Sequence, residues 1–206
     1  MQNKFISYFL FCVLFKMSVV QGEIKEIVMK WNALLCLNEC ESTLANQLNN
    51  IANLRGLRID SRAGTAVMGW QPDNFFSYAP FNLATRTVGI RIADFRLKVS
   101  GKIRYSGDDF FIVSEGDNTI FLLAGPIRAV PNRYIVQQNI ASRPLSVDTR
   151  IKLLKLADSQ ETVIIEGPLF EPLRAWLILI VEQLKLPKKD APQSTTTSEI
   201  EKYKIP

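Results

Sequence analysis

An α+β fold is predicted for this 206-residue sequence from three observations. Between Glu23 and Ser100 the apolar pattern changes in the order strand, helix, strand, strand, helix, strand. From Gly101 to Leu186 it consists mainly of short β segments separated by turn sequences. No linker-like composition separates Val99 from Lys102, so the last strand of the first part is expected to run into the first strand of the second and couple the two rigidly.

The bulk composition supports a packed core. With 47% hydrophobic and 22% charged residues, the chain is neither disordered nor an all-membrane protein. Residues 1–22 differ from the rest: Lys4, the apolar run Phe5 to Phe15, Lys16, then small residues at Val20 and Gly22. This is the form of a signal peptide cleaved before Glu23. The run is short for a bilayer span, and a retained anchor is the alternative. Cleavage would leave no integral membrane segment and place the protein in the periplasm, the cell envelope or outside the cell, where disulfides persist. Cys12 would be lost, leaving Cys36 and Cys40, and losing Lys4 and Lys16 lowers the formal charge from +5 to +3. So small an excess argues against a nucleic-acid partner.

The sequence contains no histidine. That excludes Ser-His-Asp and Cys-His nucleophilic catalysis and His-ligated zinc, leaving cysteine and carboxylate chemistry. A non-enzymatic protein is expected.

Along the chain, Ile24, Ile27, Val28, Trp31 and Leu34-Leu35 form an apolar segment whose second half reads as a buried strand ending at Cys36. Asn38 and Glu41 have the spacing of a capping box, which starts a helix near Glu39 and puts Cys40 in its first turn. Leu44, Leu48 and Ile51 supply the buried stripe, and Gly56 stands as the stop. Leu57 to Asp60 and Thr65 to Trp70 flank the turn sequence Ser61-Arg62-Ala63-Gly64, a predicted hairpin. Pro80, Phe81, Ala84 and Val88 predict a second helix ending at Gly89, and Phe95, Leu97 and Val99 a final strand. This order is the ferredoxin-like βαββαβ sandwich, expected over residues 23–100.

The thiol-bearing loop before the first helix, the Leu57-Arg-Ile-Asp-Ser-Arg-Ala-Gly-Thr-Ala-Val hairpin, the helix ending in Val88-Gly89 and the final strand resemble a heavy-metal-associated domain, the fold of copper chaperones. The resemblance covers Glu23 to Ser100. It implies a soft-metal site, for Cu(I), with Cys36 and Cys40 as ligands and the second domain positioning a protein partner. Members of that family carry Cys-x-x-Cys, whereas this chain has Leu34-Leu35 and Cys-x-x-x-Cys.

In the second part, Lys102 to Tyr105, Phe110 to Ser114 and Thr119 to Leu123 are short strands between Ser-Gly-Asp-Asp and Glu-Gly-Asp-Asn turns. Prolines interrupt residues 126–146, Ile151 to Leu156 reads as a strand or a helical turn, and Thr162 to Gly167 and Ala175 to Leu184 read as closing strands. Gly101 and Gly167, inside strand-like runs, mark bends. The pattern resembles an OB-like β-barrel over residues 101–186, with a small β-sandwich as the alternative. Residues 187–206 are polar and turn-rich, a disordered tail.

Three kinds of chemistry suit the cysteines. Cu(I) accepts two thiolates, where zinc would require four ligands. In an exported protein the competing reading is a structural Cys36–Cys40 disulfide within an envelope interaction or assembly module. Thiol oxidoreductase activity fits the spacing least. Asp108-Asp109 and Asp117-Asn118 lack calcium-loop spacing, and the glycines form no phosphate fingerprint. Trp70, Phe75, Phe76, Tyr78 and Phe81 read as core before partner surface, and Arg86, Arg91, Arg96, Lys98 and Lys102 as a solvated face.

Overall fold

The computed structural model describes residues 24–35, 40–72, 74–127 and 140–187; the expected signal segment, Cys36, the Asn38 cap and the tail from Lys188 lie outside them. The described chain is mixed α+β, with three helices and one nine-stranded sheet that curls into a barrel at one end. The curled part is compatible with a small OB-like barrel.

The first strand, β1 (Ile24–Trp31), buries Ile24, Ile27, Met29 and Trp31. Leu34 and Leu35 leave the strand in a 3-10 turn, Ala33–Leu35, and are 81% and 55% exposed, so the apolar segment ends earlier than its composition indicates. Helix α1 (Cys40–Asn49) buries Leu44 and Leu48, i and i+4 on one face. It stops before Gly56. That glycine instead sits inside β2 (Leu54–Asp60), at the register shift between Arg55 and Arg58 where β2 pairs with β3 (Thr65–Trp70). Helix α2 (Ala79–Thr87) begins with a proline in its first turn and buries Phe81, Ala84 and Thr85. These elements line up as β2-β3-β1-β4 in one antiparallel layer.

The strand β4 (Ile92–Ser106) is 15 residues long and belongs to both parts of the sheet. Residues Ile92 to Val99 pair with β1, while Gly101 to Ser106 pair with β5 (Asp109–Ser114) along the same edge. Along its other edge, Arg96 to Lys102 pair with β7 (Thr162–Phe170). The sheet continues through β6 (Ile120–Ala124), the parallel neighbour β8 (Leu177–Ile180) and back to β7, closing a five-strand circuit, and β9 (Gln183–Lys185) adds to β7. The segment expected at Ala175 to Leu184 is therefore two strands, separated at Val181 and Glu182.

Helix α3 (Val147–Ser159) resolves the ambiguous Ile151 to Leu156 segment in favour of helix. Ser146 caps it by accepting from the Thr149 amide at 3.1 Å, Gln160 closes it in the left-handed conformation, and Leu153 and Ala157 are buried. Its apolar residues are spread around the axis, with Val147 and Ile151 exposed, which hid the helical period in the sequence.

Closure places backbone against backbone at two glycines. A Cβ on Gly101 would lie 2.2 Å from the Val113 carbonyl oxygen, and one on Gly167 would lie 1.8 Å from that of Ile180. Neither oxygen can move without breaking the sheet. Gly101→Ala is therefore expected to lower stability by about 2 kcal/mol or more, through overpacking against backbone. Urea denaturation monitored by circular dichroism measures this directly, and a midpoint equal to that of the unsubstituted protein would contradict the close approach.

Candidate functional site

The cysteine end of the sheet is built by β1, the 3-10 turn and α1. Asn32 holds the turn, its side-chain oxygen accepting from the Leu34 amide at 3.1 Å and its carbonyl from the Leu35 amide at 3.0 Å. The Trp31 amide donates to the Gly64 carbonyl at 2.9 Å, which ties this end to the β2–β3 hairpin. Glu41, in the first turn of α1, accepts from the Ser61 hydroxyl, a second tie to the same hairpin.

Cys40 is the first residue of α1, half-buried against the main apolar cluster. Its sulfur is engaged in a disulfide, so it does not titrate as a thiol. The bonded partner lies outside the described residues, as does Cys36. Among the described residues there is no group of three or more His, Cys, Asp and Glu side chains arranged to hold a metal ion.

The aromatic-rich stretch divides sharply. Trp70, Phe76, Tyr78 and Phe81 are buried, whereas Phe75 is 72% exposed. Phe76 lies at the centre: its ring is 5.3 Å from Trp70 edge-on, 6.0 Å from Phe81, and 6.1 Å from both Phe95 and Phe121. Phe121 belongs to β6, so this cluster joins the βαββαβ segment to the barrel. A buried polar chain runs beside it. The Phe76 amide donates to the Thr119 hydroxyl at 2.8 Å, and that hydroxyl donates to Asp117 Oδ2 at 2.6 Å. The Glu-Gly-Asp-Asn segment, read as a turn, thus supplies a structural anchor.

The five basic residues do not share one face. Arg96 donates to Glu182 and stands 3.7 Å from Asp94, Lys102 lies 3.0 Å from Glu115, and Lys98 is paired in register with Glu166. The Glu182 hydrogen bond, with the surrounding acids, raises the Arg96 pKa above its ordinary value. Arg86 and Arg91 stand apart from these, on the wall of a cleft of about 400 Å³ beyond the end of α2. Trp31 pairs with Ile92, so the cleft opens at the same end of the sheet as the cysteine turn. Leu173, from the β7–β8 turn, also lines it. Sequence spacing could not show this cleft, because the turn that completes it is remote along the chain.

No protein-family profile, curated protein or solved structure matches this chain. Among the described residues, no helix is long and apolar enough to cross a membrane.

Thr119→Val keeps the side-chain shape but removes the acceptor of the Phe76 amide and the donor to Asp117. It is expected to lower stability by about 1–3 kcal/mol, the range for stranding a buried polar group. Thr119→Ser should recover most of that loss. Equal denaturation midpoints for the valine variant and the unsubstituted protein would remove the anchor from the account.

Proposed function

We propose that the chain is an exported, non-enzymatic interaction or assembly module of the cell envelope, in which a Cys36–Cys40 disulfide fixes the start of α1. The observation that carries this reading is the engagement of Cys40 in a disulfide. Cys36 is the partner in this proposal because it stands four residues away, across a loop short enough to close.

Two further observations support the architecture assigned to the module. The order β1-α1-β2-β3-α2-β4, with spatial order β2-β3-β1-β4, favours a ferredoxin-like layer over residues 23–100. The circuit β4-β5-β6-β8-β7, with β6 and β8 parallel and α3 falling between β6 and β7, favours an OB-like barrel over residues 101–186. The partner surface in this reading is the exposed pair Leu34 and Leu35 beside the bridge, a site where apolar side chains are held out by the Asn32 turn.

Soft-metal binding belongs to the reduced form of the same residues. A bridged sulfur offers no thiolate, so Cu(I) at Cys36 and Cys40 requires both thiols free.

Protein isolated without reductant and treated with an alkylating agent is expected to show no alkylation at Cys36 or Cys40 by mass spectrometry. Two modified thiols would contradict the bridge. Titrated with Cu(I) against a competing chelator, the oxidised protein should take up no more metal than the Cys36→Ser, Cys40→Ser double variant; one additional equivalent would restore the metal reading. Reduction alone should cost up to about 2 kcal/mol of stability, the chain-entropy value for so short a loop.

A further inference from the structure

The cleft beyond α2 combines three features that its structural role does not use. Tyr78 is 7% exposed and lines it, yet among the described residues its hydroxyl has no hydrogen-bond partner. The ring is buried while the hydroxyl is not sealed from solvent, so it is open to a ligand in the cleft. A phenol is protonated near neutral pH and can donate, and burial raises the Tyr78 pKa further. Arg86 and Arg91 line the same cleft, both exposed and neither in an ion pair among the described residues. Glu171, on the turn that carries Leu173, is paired with Arg174.

The Thr85 carbonyl accepts from the Val88 and Ile90 amides and the Arg86 carbonyl accepts from the Gly89 amide. The helix C-terminus still carries partial negative charge, which the two arginines must outweigh to hold an anion. Leu173, 69% exposed, and Ile92 line the same space. Cationic donors, a phenol and aliphatic surface together define an amphiphilic anion site of about 400 Å³, within the usual size of small-ligand pockets.

We propose that this cleft binds an aliphatic carboxylate, with Arg86, Arg91 and the Tyr78 hydroxyl on the carboxylate and Leu173 and Ile92 against the chain. Asn82, one turn before Arg86 on the same cleft wall, supplies a further amide. Among the described residues, Cys40 does not line the cleft, so the proposal does not draw on its sulfur.

Isothermal titration of the full chain with octanoate, octanol and inorganic phosphate tests this. Octanoate is expected to bind at one site, octanol not at all, and phosphate at least tenfold more weakly, for want of the apolar contacts (roughly 0.8 kcal/mol per buried methylene). The Arg86→Gln, Arg91→Gln double variant should weaken octanoate by roughly tenfold or more, the scale of lost charge-assisted hydrogen bonds. Tyr78→Phe keeps the ring against Phe95 and should weaken it several-fold with an unchanged melting temperature. Absence of octanoate binding, equal affinity in the double variant, or phosphate binding as tightly as octanoate would each overturn the proposal.

Discussion

Strand β4 is the constraint on which the structure depends. Its residues Arg96 to Val99 are paired on both edges, with β1 on one side and β7 on the other. Two residues on, Gly101 and Lys102 keep β7 but exchange β1 for β5. A strand hydrogen-bonded along both edges cannot move with respect to one neighbour without breaking the ladder to the other. The βαββαβ segment and the barrel therefore share a structural member, with Gly101 at the exchange point, where any side chain would meet the Val113 carbonyl.

Packing reinforces what the ladder begins. The inward face of β4 carries Phe95, Leu97, Val99 and Ile103, and Phe95 is 5.1 Å from Phe81 of α2 while Phe121 approaches the same cluster from β6 through Phe76. Each such ring removed from water contributes about 1.5–3 kcal/mol. The Phe76 amide, Thr119 and Asp117 add direction, fixing which way the two layers meet. Functional residues take their places from this frame: the cysteine turn follows β1, and the Arg91 cleft precedes β4, at one end of the sheet.

Much of the layout was legible in the sequence because alternation and helical spacing report directly on burial. Phe95, Leu97 and Val99 alternate as a half-buried strand should, and Gly101 and Gly167, read as bends, stand at the two closest backbone approaches. The failures have identifiable physical causes. Gly56 reads as a helix stop by residue type alone, but a glycine with positive φ serves a strand irregularity equally well, and that is its position. Leu34 and Leu35 read as core by hydrophobicity, which ignores the 3-10 turn that Asn32 imposes. At the cysteines, spacing named the residues but left metal and disulfide open, since two sulfurs close in sequence serve either. The cleft was hidden altogether: Arg86 and Arg91 read as solvated charge and Tyr78 as core, and Leu173 joins them only through the remote β7–β8 turn.

A shared strand implies shared stability, whatever the two parts bind. Native-state amide hydrogen exchange in increasing denaturant reads this most directly. The account predicts that the slowest amides of β1 and β3 and those of β5 to β8 converge on one opening free energy, together with Leu97 to Lys102 of β4. Exchange of β1 to β3 through a separate, lower-energy opening while β5 to β8 remain protected would contradict it.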